Sequence, residues 1–360
     1  LDCDNTLWGG VLGEEGIEKI QIGQDGIGKA YQDFQKVVKY FKNQGILLVL
    51  ASKNNEQDVK QVLKKHKSMI LKDEDITSYK VNWEDKARNI IELSNELMLG
   101  LDSFVFWYDN PIEREKVRKK IKQVEVIEPK NDVSYWPTQL MEYKGFAKFT
   151  LSKEDKNKTT QYKQKNKFLE KKKLHKDEIK YLRSIKIKPK ILKLNQSNTD
   201  RAVQLTQKTN QFNFTSKKYS HSELKKINSQ NKIFLVELSD IYGDHGIISL
   251  VIIKKIQNIM YLDTFILSCR ILGRYLENWL ISKIQEYALK NKVKYTLINF
   301  VPTKKNDPAK IFINKLNLES TNLSNLNIKP KNMDSLLKLK KSQKYILSNN
   351  CKISMINIYD

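Results

Sequence analysis

The sequence predicts an α/β protein with two domains, and the order of its apolar patterns is the basis for this fold class. In residues 1–140, strand-sized apolar runs alternate with amphipathic helical stretches, which predicts a parallel sheet covered by helices on both faces. In residues 196–325, strand patterns are followed by a helix, a further strand and a short helix, which predicts a second α/β domain with antiparallel pairing. Residues 141–195 have no long apolar stripe, so we interpret them as a basic helical linker. Residues 326–360 are rich in lysine, asparagine and serine and are expected to form a C-terminal tail.

Two apolar runs of the first domain have the length of buried parallel strands. They cover residues 45–51 and 103–107, and each is followed by polar residues and a helical pattern. Because the carboxyl ends of parallel strands meet at one edge of a sheet, we expect the polar residues after these runs to lie close together. The chain begins with Leu1, directly on an acidic motif that normally ends a buried strand. We therefore expect the sequence to be a fragment of a longer protein, with this first strand truncated.

Composition and charge favour some kinds of partner over others. Lysine and arginine number 65 against 41 acidic residues, a formal charge of +24, but lysine, asparagine and isoleucine are abundant throughout, which indicates compositional drift. The sequence has no recognisable nucleic-acid-binding motif and no aromatic residues interleaved with the basic ones, so no nucleic-acid partner is predicted. An acidic protein partner and a small phosphorylated molecule fit the charge equally well.

The cysteines and the apolar runs indicate a cytoplasmic protein. Cys3, Cys269 and Cys351 give no disulfide framework and suit a reducing compartment. No signal peptide is visible. The longest apolar runs, residues 45–51 and 246–253, are too short to span a bilayer, so no membrane partner is predicted.

The acidic motif at the start of the chain is a candidate for phosphoryl-transfer chemistry. Alternation along an extended segment places Asp2 and Asp4 on the same side. With a divalent ion to neutralise charge, one carboxylate can attack phosphorus while the other handles the protons of the leaving group and of water. The alternative is a pair of turn-forming residues, because Asp and Asn favour turns.

Three residues near later strand ends support the catalytic interpretation. Ser52 follows the first apolar run, just before a helix start, where a hydroxyl can bond a phosphate oxygen. Lys86 can neutralise phosphate and nucleophile charge, although a lysine alone is more often a surface residue. Asp109 follows the second apolar run. An acid pair, a hydroxyl, a lysine and an acid in this order resemble the haloacid dehalogenase (HAD) superfamily, which implies a HAD-type Rossmann-like parallel sheet for residues 1–140.

The resemblance extends to a narrower family. The stretches that carry it are residues 1–16, 52–56, 82–86 and 109–115. They resemble the FkbH-like family, HAD-superfamily subfamily IIIC phosphatases and glyceryl transferases. The resemblance implies that Asp2 is the nucleophile, that Asp4 is the general acid/base and that Mg²⁺ is the cofactor. The metal ligands that it implies are Asp2, Asp4 and Asp109. The phosphate ligands that it implies are Ser52, Lys53 and Lys86.

The chain departs from this family at one position of the site. The family usually carries two adjacent acids before Asn-Pro, and here the first of the two is Tyr108. If the metal needs that acid, metal binding is impaired; if Asp109 is the ligand, which we favour, little is lost. We therefore expect Tyr108→Asp to be neutral or mildly activating.

The second domain resembles the same family. The matching stretches, in matching order, are residues 209–213, 242–246, 267–274 and 302–306. Their architecture resembles the GNAT-type acyltransferase fold, in which backbone N–H groups near Arg270 and Gly273, at a helix start, could bind a pyrophosphate. Asn306 resembles the start of a late helix of that fold. We expect these three residues to take part in acyl or pantetheine binding, and the alternative is a packing role alone. Tyr275 replaces an expected Gly or Ala, which argues against a simple acetyl-CoA N-acetyltransferase.

The resemblance implies a reaction for the whole chain. The acyl group of a phosphorylated three-carbon acid, 1,3-bisphosphoglycerate, would pass to a thiol with loss of phosphate. It would then reach the phosphopantetheine thiol of an acyl carrier protein, for polyketide-type biosynthesis. Two alternatives stay open: a simple HAD phosphatase of a small phosphate ester, and a catalytically decayed scaffold, which Tyr108 suggests.

A cysteine must carry the acyl group if it passes through the enzyme, because a thiolate readily accepts an acyl group from an acyl phosphate. Cys3 lies between two acids, and alternation turns it to the packed face of its strand. Cys351 lies in the predicted tail. Cys269 follows a predicted strand and precedes the next helix, so it is the favoured candidate.

A histidine is the candidate base for this thiol. Counting from a hairpin turn at residues 256–258 sets His245 or Gly246 opposite Ser268 or Cys269. The alternatives are a buried structural cysteine with a histidine that only shapes its turn, and Cys3 as the carrier.

Overall fold

The computed structural model describes most of the chain. The described residues are 1–147, 151–316, 318–320 and 343–348. Cys351, one of the candidate thiols, lies outside them. Within the described residues, no helix is both long and apolar enough to cross a membrane. The chain divides into two units, Leu1–Lys167 and Phe168–Asp360, and both combine helices with strands, which confirms the predicted α/β class.

The first unit alternates strands and helices from its first strand onward, as the sequence predicts. Its strands are β1 (Leu48–Ser52), β2 (Ile76–Val81), β3 (Val105–Phe106) and β4 (Glu125–Val126). Its helices are α1 (Leu12–Glu15), α2 (Gly26–Asn43), α3 (Glu56–Lys65), α4 (Lys86–Leu97), α5 (Pro111–Lys120), α6 (Trp136–Met141) and α7 (Lys153–Lys156). Strands β1 and β2 pair in parallel, as do β3 and β4. Helix α8 (Lys158–Leu174) contains the boundary between the units.

The first residues of the chain lie along β1. The backbone N–H of Ala51 donates to the carbonyl of Leu1 at 2.8 Å, and the amino group of Leu1 donates to the carbonyl of Val49 at 3.0 Å. This pairing fixes the position of the next residue, Asp2, beside the carboxyl end of β1.

An aromatic cluster anchors the loop that follows β3. Phe34 of α2 lies 5.0 Å from Trp107 and 5.4 Å from Trp136 of α6, between ring centroids. All three rings are buried. Because Trp107 directly precedes Tyr108 and Asp109, the core holds the start of the loop that carries them.

In the described residues of the second unit, seven strands form one mixed sheet. Its strands are β5 (Lys188–Lys193), β6 (Lys232–Asp240), β7 (Gly243–Ile256), β8 (Ile259–Leu267), β9 (Tyr295–Phe300), β10 (Glu319–Ser320) and β11 (Gln343–Ser348). Its helices are α9 (Glu178–Ser184), α10 (Thr199–Lys208), α11 (His221–Gln230), α12 (Leu276–Lys290) and α13 (Asp307–Lys315). The strand order is β10-β11-β9-β8-β7-β6-β5. Among these described strands, β8 and β9 are parallel neighbours, and the other adjacent pairs are antiparallel.

Two strands of this sheet lie outside the stretch 196–325 that the sequence suggested for the second domain. Strand β5 falls in the stretch interpreted as a linker, and it pairs with β6 at one edge of the sheet. Strand β11 falls in the stretch interpreted as a tail, and it pairs with β9. Short segments of both flanking stretches therefore form strands of this sheet.

Strands β8 and β9 pair only over their first halves, and another segment fills the gap beyond. Their pairing ends at Leu262 and Ile298. Past this point, the N–H of Phe214 donates to the carbonyl of Phe265 at 3.1 Å, and the N–H of Val301 donates to the carbonyl of Phe214 at 2.8 Å. The segment around Phe214 therefore closes the sheet where its two parallel strands diverge.

Candidate active site

A buried ion pair joins the first acid of the chain to the start of α4. Lys86 Nζ donates to Asp2 Oδ1 at 2.5 Å and to the carbonyl of Ala51 at 3.1 Å. The two side chains are only 1% and 4% exposed. Their charges are therefore held together away from water, where electrostatic interactions are strong.

Asp4 is fixed by three hydrogen bonds. Its Oδ1 accepts from Trp8 Nε1 at 3.0 Å and from the N–H of Leu12 at 3.1 Å. Its Oδ2 accepts from Asn54 Nδ2 at 2.9 Å. Burial raises the pKa of Asp4 above its usual value, and the hydrogen bonds from Asn54, Leu12 and Trp8 oppose this rise. A carboxyl group with a raised pKa and a fixed position is suited to proton transfer.

Asp109 lies close enough to Asp2 for the two carboxylates to interact electrostatically. Burial, and then the negative charge of Asp2, raise the pKa of Asp109 to about 6. Thr6 Oγ1 donates to Asp109 Oδ1 at 3.4 Å. The buried Arg114 donates to the backbone carbonyls of Asp109 and of Tyr108, at 2.5 Å and 2.8 Å, and so fixes the loop.

The oxygen atoms of this site fit a magnesium ion. The negative charge of Asp2 adds to burial in raising the pKa of Asp109, and a divalent cation would relieve the repulsion between the two carboxylates. Mg²⁺ prefers oxygen ligands, usually one or two carboxylates completed by waters and phosphate oxygens. Among the described residues, no group of three or more His, Cys, Asp and Glu side chains could hold a metal ion, so waters and phosphate oxygens would have to complete the coordination that Asp2 and Asp109 begin.

The predicted serine is present at this edge, with a partner that the sequence analysis missed. Ser52 is 1% exposed and ends β1. Asn54 Nδ2 donates to Ser52 Oγ at 3.2 Å as well as to Asp4. One amide therefore links the candidate phosphate ligand to the candidate acid/base. The position of Asn54, two residues after Ser52, is the only indication of this link that the sequence gives.

Lys53 and Cys3 have surroundings unlike those of the other predicted residues. Lys53 is 40% exposed, and its ammonium lies 3.4 Å from Glu113 Oε1. Cys3 is fully buried in the core of the first unit, and burial raises the pKa of its thiol strongly. A thiol with a raised pKa is a poor nucleophile at neutral pH.

In the second unit, His245 contacts an acid rather than a thiol. Its Nε2 lies 2.9 Å from Asp240 Oδ2, although the angles are poor for a hydrogen bond. Arg274 Nε lies 3.2 Å from the same oxygen, and all three side chains are nearly inaccessible to water. Burial alone would raise the pKa of Asp240, but His245 and Arg274 hold it below its usual value. A bulge in β7 opposite Leu238 makes His245 an extra residue, which explains why its ring turns toward β6.

The predicted register of the β7–β8 hairpin is wrong. The N–H of Ser268 donates to the carbonyl of Ile248 at 2.7 Å, so neither His245 nor Gly246 lies opposite Ser268. The register shifts at a bulge beside Ile252, which a count from the turn cannot include. Cys269 is half-buried just beyond β8. The pairing of Cys269 with His245 in catalysis stays a prediction.

The turn before α12 leads directly into that helix. Arg270 is buried, and its Nε donates to Ser268 Oγ at 3.3 Å. Gly273 has a φ of +87°, in the region that favours glycine, and its carbonyl accepts from Lys172 Nζ at 2.8 Å. The pyrophosphate-binding role predicted for this turn stays a prediction.

Asn306 is engaged within its own unit. It is 1% exposed, and its Nδ2 donates to the carbonyls of Asn213 at 3.1 Å and Val301 at 2.9 Å. Its Oδ1 accepts from the N–H of Thr303 at 2.8 Å. Both amide hydrogens are therefore used to hold the closed gap between β8 and β9, which favours the structural role over pantetheine binding.

Comparisons with known proteins give matches among solved structures. No protein-family model and no curated protein matches the chain. The N-terminal part of the protein BF1531 from Bacteroides fragilis, which contains a phosphatase domain and was crystallised with Mg, is 43% identical over 39% of this chain, with a TM-score of 0.38. The match covers 38% of that chain, so this chain spans well under half of that relative.

Acetyltransferases also match, at low identity. A GNAT-family acetyltransferase from Staphylococcus aureus is 10% identical over 45% of this chain and 99% of its own, with a TM-score of 0.34. The ribosomal-protein-S18-alanine N-acetyltransferase from Escherichia coli is 13% identical over 47% of this chain and 97% of its own, with a TM-score of 0.32.

We expect Asn54→Ala to lower kcat for hydrolysis of an aryl phosphate by roughly 10- to 100-fold. Hydrogen bonds to charged groups contribute about 1.5–3 kcal/mol, and this variant releases Asp4 and Ser52 together. Gln57→Ala, at an exposed position of the following helix, is the matched control and should match wild type within about twofold. Wild-type kcat in Asn54→Ala would contradict the linking role.

We expect Asn306→Ala to lower the free energy of unfolding by roughly 1–3 kcal/mol, because buried carbonyls of Asn213 and Val301 lose their donors. Chemical denaturation of this variant and of the exposed control Lys304→Ala measures the difference. If Asn306→Ala unfolds like wild type but no longer binds pantetheine, the ligand-binding role is correct and the structural one is not.

Proposed function

We propose that the chain is a Mg²⁺-dependent phosphatase and acyl transferase that acts on a phosphorylated three-carbon acid such as 1,3-bisphosphoglycerate. The observation that carries the phosphatase part is the buried pair of Asp2 and Lys86, beside Asp4 and Ser52. The 43% identity to a phosphatase domain crystallised with Mg supports the same chemistry.

The residues of the first unit have distinct roles in this proposal. A carboxylate oxygen of Asp2 attacks the phosphorus of the phosphate ester, not that of the acyl phosphate; the bond from phosphorus to the ester oxygen breaks, and that oxygen takes a proton from Asp4. Asp4 then takes a proton from the water that attacks the aspartyl phosphate, which releases phosphate and restores Asp2. Ser52 and Lys86 hold the phosphate oxygens. A bound Mg²⁺, held by Asp2, Asp109 and the carbonyl of Asp4, would neutralise charge on the nucleophile and the phosphate.

The acyl group is proposed to pass through a thiol of the second unit. The Cys269 thiolate attacks the acyl carbon, a carbon–sulfur bond forms, and the bond from that carbon to the phosphate oxygen breaks. The phosphopantetheine thiol of an acyl carrier protein then displaces Cys269. His245, which contacts Asp240, is proposed to accept the proton of the Cys269 thiol. Arg270 and Gly273 are proposed to contact the phosphopantetheine arm of the carrier protein. Carrier proteins are usually acidic, and the +24 charge of the chain favours docking of an acidic partner.

A simple phosphatase of a small phosphate ester is the second candidate. Asn306 favours this candidate, because both of its amide hydrogens are bonded inside the second unit and so are not offered to a pantetheine arm. A decayed scaffold is less well supported, because Tyr108 leaves the Lys86–Asp2 pair intact.

We expect Asp2→Asn to lower phosphate release by several decades, because an amide does not attack phosphorus. Chelation of Mg²⁺ and Asp109→Ala should each abolish it. Asp4→Asn should keep more phosphoenzyme than Asp2→Asn, as measured by mass after acid quenching. The exposed Asp58→Asn is the control for an acid-to-amide change. Turnover of Asp2→Asn at the wild-type rate would remove the basis of this assignment.

We expect Cys269→Ala to lose both a covalent acyl adduct and the loading of the carrier protein, while it still hydrolyses simple phosphate esters. Intact-protein mass spectrometry after incubation with the acyl phosphate and carrier protein makes the measurement. Cys3→Ala is the comparison, because its buried thiol should form no adduct. An adduct that persists in Cys269→Ala but disappears in Cys3→Ala would reverse the assignment, and phosphate release with no loading at all would favour the simple phosphatase.

A further inference from the structure

The ammonium group of Lys86 is enclosed on three sides. Asp2 Oδ1 lies at 2.5 Å, the carbonyl of Ala51 at 3.1 Å, and the ring centroid of Tyr108 at 4.0 Å. The lysine side chain is 1% exposed. Water therefore contributes little to the solvation of this charge, and the aromatic ring replaces part of it.

The face of an aromatic ring attracts a cation, and more strongly when the cation has lost its water. A neutral ring has a second consequence: it leaves Asp2 as the carboxylate that pairs with Lys86. An acid at position 108 would stand beside the same ammonium and compete with Asp2 for it. Two carboxylates on one lysine would also repel each other.

The surroundings of Tyr108 hold the ring in place. Its backbone carbonyl accepts from Arg114 at 2.8 Å, and the preceding Trp107 is 2% exposed in the core. The backbone and the core thus hold the ring against the Lys86 ammonium.

We propose that Tyr108 is a positioning residue for phosphoryl transfer, whose ring holds the Lys86 ammonium on the nucleophile Asp2. The inference rests on the proposed roles of Asp2 and Lys86. It replaces the expectation from the sequence that an acid at position 108 would be neutral or mildly activating, because the acid would draw Lys86 away from Asp2. Tyr108 itself is not assigned to the metal.

The first test compares Tyr108→Phe, Tyr108→Leu and Tyr108→Asp with wild type in the Mg²⁺-dependent hydrolysis of an aryl phosphate. Tyr108→Phe keeps the ring and should retain kcat within about threefold. Tyr108→Leu should lose roughly tenfold in kcat, and Tyr108→Asp more, with an unchanged Mg²⁺ requirement in all three. Equal activity of the Phe and Leu variants would overturn the proposal. So would an Asp variant that is faster than wild type and binds Mg²⁺ more tightly, because position 108 would then be a lost metal ligand.

A second test does not depend on turnover. Tyr108→Leu and Lys86→Met are combined in a double-mutant cycle on the free energy of unfolding. We expect Tyr108→Leu to lower the free energy of unfolding by about 1.4 kcal/mol more in the wild-type background than in the Lys86→Met background, where the charge is absent. This difference is roughly tenfold in the unfolding equilibrium constant. Tyr135→Leu, at an exposed tyrosine of the same unit, should show no coupling to Lys86→Met.

The two tests separate this proposal from the proposed function. Suppose that Tyr108 and Lys86 are coupled in the unfolding measurements but the wild type hydrolyses no phosphate ester. The contact between the ring and the ammonium would then be correct, while the phosphatase function and the positioning role of Tyr108 would both be wrong. Hydrolysis by wild type without coupling between Tyr108 and Lys86 would remove only the role of Tyr108.

Discussion

The buried pair of Lys86 and Asp2 is the interaction on which the first site depends. Taking two charges out of water is unfavourable by several kcal/mol per ion, unless good geometry and further polar contacts compensate. Here the carbonyl of Ala51 and the ring of Tyr108 complete the surroundings of the ammonium. The pairing of Leu1 along β1 sets the position of the carboxylate. One contact thus joins the start of the chain, the end of β1 and the start of α4 at the proposed phosphate site.

The sequence could predict the residues that strand ends bring together, but not the contacts of the loops between them. Ser52 follows a buried strand and Asp109 a buried run, and the carboxyl ends of parallel strands share one edge. Lys53 and Asn54 show the limit of that rule. They are neighbours in sequence, yet Lys53 contacts Glu113 and Asn54 contacts Asp4, the proposed acid/base. The direction of a side chain after a strand depends on the local backbone and on partners far along the chain, and neither is visible in a pattern of apolar residues.

Strand register and sheet edges limited the prediction of the second unit in a different way. A count along a hairpin assumes constant register, and the bulges beside Ile252 and opposite Leu238 break that assumption, so His245 turns toward Asp240. The edge strand β5 and the inserted strand β11 have too little alternation to stand out from their polar surroundings. They gain their conformation by pairing with β6 and β9, which is a tertiary effect that overrides weak local preference.

The charge of the first site is opposite to that of the chain as a whole. The chain carries a formal charge of +24, yet Asp2, Asp4 and Asp109 gather near a single buried ammonium, that of Lys86. Lys86 offsets the charge of Asp2, so Asp4 and Asp109 leave up to two negative charges when both are ionised, and a phosphate dianion would then be repelled unless more positive charge enters. Lys53 does not supply it, because it is exposed and paired elsewhere. A divalent cation would balance this count at contact distance, whereas surface lysines act through a field that salt screens over about 10 Å. In the proposed function, the basic surface would raise the local concentration of an anionic substrate, and a cation bound beside Asp2 would hold the phosphate of that substrate.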